Sequence, residues 1–146
     1  MSTEIKIKLS NGASVPEYAT SGSAAVDLRA NNKESITITP GERALIPTGL
    51  SMSIPEGYVG IIAARSGLAC KRGICLSNGI GVIDSDYRGE IGVSLHNTSG
   101  ESFTVERGER IAQMMFLPVT QAAFTVCTEL DETERGEGGF GSTGKK

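Results

Sequence analysis

Short stretches of this chain carry side chains able to do chemistry. In Gly81-Val-Ile-Asp-Ser-Asp-Tyr-Arg-Gly-Glu90, Asp84 and Tyr87 fall where a hairpin is expected. A carboxylate there is either a base that activates water or a turn Asp of the ordinary kind. Arg65-Ser-Gly-Leu-Ala-Cys-Lys-Arg-Gly-Ile74 sets an arginine beside a serine that could cap a short helix. Arginine grips phosphate through paired hydrogen bonds, although a lone arginine is equally a solvated surface cation. Ala24-Ala-Val-Asp-Leu28 puts Asp27 inside an apolar run, where an acid needs a partner. Gly108-Glu-Arg-Ile-Ala-Gln-Met-Met-Phe116 places Gln113 among apolar neighbours, as a ligand contact or a strand-edge amide.

The chain closes on Arg135-Gly-Glu-Gly-Gly-Phe-Gly-Ser-Thr-Gly-Lys-Lys146. From Gly139 this reads G-x-x-x-x-G-K, one residue short of a Walker A loop. Such a loop needs a strand before it, a helix after it and a Ser or Thr where Lys146 stands. The context is wrong, so a P-loop is not expected. A glycine-rich end is commonly a loose tail. Here, however, Arg135 could hold phosphate, Phe140 could stack on a base, and Ser142 and Thr143 offer hydroxyl donors. Ordering such a segment costs about 1–2 kcal/mol per residue in backbone entropy. The arm is therefore expected to be flexible until a charged ligand gathers it.

Composition narrows the partners. The 146 residues carry a net charge of −3, with 38% hydrophobic and 21% charged residues. This is the balance of one globular domain without a basic stripe, which argues against a nucleic acid polymer as partner. A single nucleotide needs only a few local arginines. No apolar run approaches the roughly 18 residues that span a bilayer, so no membrane partner is expected. The start, Met1-Ser-Thr-Glu-Ile-Lys-Ile-Lys, lacks a signal-peptide apolar region, and a cytoplasmic location is expected. One histidine and three cysteines supply neither a Ser-His-Asp triad nor a zinc site of ordinary spacing.

The elements that must hold these residues read as strands. Ile5-Lys-Ile-Lys-Leu9, Ile36-Thr-Ile38, Leu50-Ser-Met-Ser-Ile54, Ile91-Gly-Val-Ser-Leu95 and Phe103-Thr-Val105 all alternate with period two. Turn signals such as Asn11-Gly12, Pro40-Gly41 and Ser99-Gly100 separate them. The pattern predicts an all-β sandwich or barrel with one short helix after Arg65 and a body ending near residue 134.

Taken together and in order, these runs resemble the motifs of the homotrimeric dUTPase family, the deoxyuridine triphosphate nucleotidohydrolases. The resemblance spans about Ala24 to Lys145. It implies a jelly-roll-like β fold and hydrolysis of dUTP to dUMP and pyrophosphate. It also implies Mg2+ held mainly by substrate phosphates and water, and a homotrimer whose subunits share active sites. Activity of this kind limits uracil incorporation into DNA and supplies dUMP for thymidylate synthesis. A dCTP deaminase of the same fold family would be expected to be longer, without this tail.

The resemblance assigns roles to residues. Asp84 matches the water-activating carboxylate, and Tyr87 the ring on which deoxyribose packs. Asn78, with the backbone of Gly81, Val82 and Ile83, matches the uracil-reading slot. Arg65, Ser66, Gly67 and Gln113 match phosphate contacts, and Asp27 a supporting acid. Arg135, Phe140, Gly141, Ser142 and Thr143 match the arm, residues 135–146, that closes over a neighbouring subunit's site. The chain departs from the family pattern at Ala25, usually Gly, and at Val26, commonly aromatic. Ala64 stands for the usual Pro, and His96 for a bulkier apolar residue. None of these departures removes a proposed chemical group.

Overall fold

The structure, a computed structural model, describes residues 3–139. The strands, in chain order, are β1 (Lys6–Leu9), β2 (Val26–Arg29), β3 (Ile36–Ile38), β4 (Arg43–Pro47), β5 (Leu50–Ser53) and β6 (Tyr58–Ala63). After the helix α1 (Ser66–Arg72) come β7 (Ile74–Leu76), β8 (Gly81–Ile83), β9 (Gly92–Asn97), β10 (Phe103–Val105) and β11 (Arg110–Pro118). All pairings are antiparallel. A four-stranded sheet runs β2-β11-β6-β8, a three-stranded sheet β4-β9-β7, and β1-β5 and β3-β10 form separate pairs. Among the described residues no helix is long and apolar enough to cross a membrane.

Alternation builds the core. Side chains of successive strand residues point to opposite faces. Val93, Leu95 and Asn97 of β9 are accordingly buried, while the residues between them are half-exposed. Leu28, Ile38, Ile46, Ile74, Val105, Ile111 and Met114 close the same core. Each aliphatic side chain buried there contributes roughly 1.5–3 kcal/mol. Asn97 is polar and fully buried, so its amide must find partners. It donates to the carbonyls of Ile38 at 2.8 Å and Glu101 at 2.7 Å, and accepts from the Ser99 N–H at 2.9 Å. The bonds tie β3 to β9 and shape the turn before β10.

Two local expectations are corrected. Ser66 is the first residue of α1, not its cap; Arg65 takes the cap position with an extended backbone and no side-chain cap bond. The stretch from Gly81 to Glu90 is not a hairpin. Its first part, β8, pairs with β6, whereas the following strand, β9, belongs to the other sheet. Asp84 thus stands on a crossing between sheets.

Candidate active site

One polar cluster forms on the outer surface of the four-stranded sheet. The registers set Gln113 opposite Asp27 on one side and opposite Ala63 on the other. Val26 and Leu28 point inward, which turns Asp27 outward. Arg65 Nε donates to Asp27 Oδ1 at 2.8 Å, and Arg110 Nη1 donates to Oδ2 at 3.2 Å. Arg65 Nη1 also donates to the Arg110 carbonyl at 3.2 Å. Gln113 Nε2 donates to the carbonyl of Ala64 at 2.9 Å, which fixes the chain one residue before Arg65. A single carboxylate shared by two guanidinium groups leaves positive charge over. That excess, partly shielded from water, suits an anion.

Helix α1 adds Ser66 and Gly67 beside Arg65. The helix ends at Gly73, whose φ of 66° is left-handed and whose N–H caps the carbonyls of Ala69 and Leu68. Lys71 and Arg72 in its last turn oppose the negative end of the helix dipole. Arg72 also lies over the ring of Phe103, 5.4 Å from its centroid, anchoring α1 to the body.

A second group stands on the crossing after β8. Val82, Ile83, Asp84 and Tyr87 line a cavity of about 480 Å³ together with Leu45, Pro47 and Glu90. Tyr87 is 43% exposed and Leu45 69%. Asn78 is exposed on the turn between β7 and β8, where Gly79 N–H bonds the Leu76 carbonyl at 3.3 Å. Neither Asn78 nor Gly81 lines this cavity; Gly81 is buried against Ile62.

The two groups do not meet within one chain. Gly60 pairs with Ile83 and Ile62 with Gly81, so β8 carries Asp84 away from Arg65. By register Asp84 lies level with Val59, six extended residues from Arg65, or roughly 20 Å at about 3.3 Å per residue. Asp27, Arg65 and Gln113 are absent from the lining of the cavity beside Asp84.

Beyond Val119, which bonds the Gly57 carbonyl at 2.9 Å, residues 120–134 hold neither strand nor helix. Phe124, Val126 and Leu130 are 95%, 99% and 87% exposed. Arg135 is exposed, and its Nε donates to the Gly138 carbonyl at 2.8 Å. Phe140, Gly141, Ser142 and Thr143 lie outside the described residues.

Sequence reasoning chose Gln113 from its run and passed over Arg110, three residues earlier. The signal was Asp27 itself: an acid in an apolar run needed a cation, and β11 supplies one. The three cysteines are free and take no part in either group.

The architecture defines an all-β protein with polar groups at opposite ends of one strand pair, and comparison with known proteins supplies the family. The family model described as dUTPase matches residues 11–144. The deoxyuridine 5'-triphosphate nucleotidohydrolase of Fusobacterium nucleatum is 51% identical over 142 residues, covering 97% of each chain. That of Desulfitobacterium hafniense is 52% identical over 146 residues, covering 96% of this chain and 97% of its own. Among solved structures, the Staphylococcus bacteriophage 80alpha dUTPase with dUPNHPP aligns at a TM-score of 0.89 and 30% identity, covering 98% of this chain and 99% of that one. The chain belongs to the dUTPase family, and its fold is a jelly-roll β fold.

Proposed function

We propose that the protein hydrolyses dUTP to dUMP and pyrophosphate, in sites completed by more than one copy of the chain. The observation that carries this reading is the separation of Asp84 and Tyr87 from Arg65 and Gln113 along the β6–β8 pair. A nucleoside triphosphate has a base and sugar at one end and phosphates at the other. Two copies set side by side would bring the cavity of one against the arginine cluster of the next.

In that site Asp84 orients a water molecule and takes its proton as the water oxygen bonds to the α-phosphorus. The bond to the β-phosphate bridging oxygen breaks on the opposite side, and pyrophosphate leaves. Arg65, the backbone and hydroxyl of Ser66 and Gly67, and Gln113 hold the phosphates. Asp27 acts through Arg65, fixing its guanidinium rather than touching substrate. Tyr87 packs on the deoxyribose and leaves no room for a 2′-hydroxyl. Asn78 and the backbone of Gly81, Val82 and Ile83 read uracil. Residues 1–134 form the body, and the arm 135–146 brings Arg135, Phe140, Gly141, Ser142 and Thr143 over a neighbour's site.

Magnesium fits this site in one way. Among the described residues no three His, Cys, Asp or Glu side chains gather as ligands would, and both oxygens of Asp27 are engaged by arginines. The ion would therefore be carried by phosphate oxygens and water, as Mg2+ commonly is. When bound it supplies positive charge along the phosphate chain. The structure of a mutant dUTPase from phage phi11 of S. aureus, 25% identical with a TM-score of 0.79, reveals the coordination of a structural Mg(II) ion.

A homotrimer suits the exposed Phe124, Val126 and Leu130, three apolar side chains that a neighbouring copy would cover. We place the enzyme in the cytoplasm, where dUTP removal would limit uracil in DNA and supply dUMP for thymidylate synthesis. Incubation with Mg2+ and dUTP, dCTP, dTTP, UTP or ATP in separate reactions tests the assignment. Release of dUMP and pyrophosphate from dUTP alone is expected; deaminated product from dCTP, or no turnover of any, would refute it.

A further inference from the structure

Tyr87 stands on an exposed turn, yet its ring is held. Its N–H bonds the Asp84 carbonyl at 3.2 Å, and its Oη donates to the Glu90 carbonyl at 3.0 Å. Arg88 Nη1 donates to the carbonyls of Ser85 at 2.6 Å and Tyr87 at 2.9 Å, which draws the turn shut. Glu90 is fixed in its own right, because its Oε1 accepts the Gly49 N–H at 2.8 Å. A ring whose hydroxyl reaches the residue three positions on must pass over the backbone between, and that backbone is Gly89.

Gly89 has no side chain to obstruct it. A Cβ at this position would lie 2.3 Å from Tyr87 Oη, 2.6 Å from Cζ and 2.9 Å from Cε2. Those separations are far inside the roughly 3.5–4.0 Å at which nonbonded carbons rest. The nearest atoms all belong to Tyr87, so a methyl group there would push on that ring before anything else. Backbone conformation does not demand glycine: Gly89 is not among the residues with positive φ, and it is exposed. Space for the tyrosine ring is the constraint that the structure displays.

We propose that Gly89 is a positioning residue for sugar selectivity. Its missing Cβ lets the Tyr87 ring lie against its own turn, and that placement sets the wall which a ribonucleotide's 2′-hydroxyl would strike. The inference rests on the reading of Tyr87 as the deoxyribose platform. The ligands it discriminates are deoxyribonucleoside and ribonucleoside triphosphates bearing the same base. A methyl at Gly89 would swing the ring off the turn, break its bond to Glu90 and open the space beside the sugar.

The test compares Gly89→Ala, Tyr87→Ala and the double variant with the unmodified chain. The readouts are kcat/KM for dUTP and for UTP, by pyrophosphate release, and thermal unfolding. Gly89→Ala is expected to unfold with the unmodified protein while its dUTP-to-UTP preference falls by about tenfold or more, the scale on which a packing contact discriminates. The double variant should match Tyr87→Ala alone, since both substitutions act through one ring. An unchanged preference in Gly89→Ala, with a lowered one in Tyr87→Ala, would overturn the proposal and leave the platform reading standing. An unchanged preference in Tyr87→Ala would remove the platform and the proposal together. Unfolding of Gly89→Ala would contradict the unstrained, exposed backbone on which the proposal stands.

Discussion

The two halves of the proposed site are built differently. Asp27, Arg65, Arg110 and Gln113 stand on or beside three adjoining strands, and hydrogen bonds fix their side chains to one another and to backbone. Asp84 and Tyr87 stand on an exposed turn between sheets, held by contacts within that turn. The first half is preorganised within one chain and is the part proposed to receive the phosphates. In the proposed roles the second offers a base and a wall, and neither Arg65 nor Arg110 lines the cavity beside them. The difference is what shared sites would require: in the proposed assembly each chain lends one half to one neighbour's site and the other half to another's.

Substitutions should break the halves in distinguishable ways. The largest effect is expected at Asp84. Asp84→Asn keeps the shape of the turn and removes the proton acceptor, so turnover should fall by about 10²–10⁴-fold, the usual contribution of a positioned base. Binding of dUPNHPP, measured by calorimetry, should survive; loss of binding would make Asp84 a structural turn residue. Removing residues 135–146 should come next. The truncated chain is expected to fold and assemble, with activity lower on the order of 10²-fold from lost charge-assisted bonds. Full activity would make the arm a tail and nothing more.

Arg110→Met sharpens the comparison at the rigid half. Arg65 would then face Asp27 alone and lose its surplus charge toward phosphate. KM for dUTP should rise by about tenfold, the scale of one charge-assisted bond, with kcat changed less. An equal fall in kcat with KM unchanged would assign Arg110 to the transition state instead. The smallest effect is expected at Phe124, which is 95% exposed and lies on a segment without strand or helix. Phe124→Ala should weaken assembly by about 1–3 kcal/mol, visible as concentration-dependent dissociation in sedimentation, with activity intact while the assembly holds. A chain that is active as a stable monomer would count against shared sites altogether.

Much of this was legible in the sequence, and the failures are instructive. Period-two alternation located β1, β3, β5, β9 and β10 to within a residue or two. It did not single out β11, whose run Ile111-Ala-Gln-Met-Met-Phe-Leu is nearly continuous in apolar residues. That strand lies between β2 and β6, and the register shift between Arg110 and Ala112 further blurs the period. Local pattern also cannot say which partner a strand takes. Gly81 to Glu90 had the look of a hairpin, yet β8 chose β6 and left Asp84 on a crossing. Ser66 has a capping side chain, but the helix begins at it because Arg65 remains extended to reach Asp27. Arg110 was missed because its role depends on a pairing between residues far apart in sequence.

The most direct test of shared sites mixes two disabled chains. Asp84→Asn lacks the base but keeps the arginine cluster; Arg65→Ala lacks the cluster but keeps the base. Each is purified, shown to be nearly inactive, and then unfolded and refolded together in equal amounts. If each site takes its base from one chain and its cluster from another, random assembly should restore about a quarter of wild-type activity. Activity no greater than the average of the two separate variants would contradict the account and return both groups to a single chain.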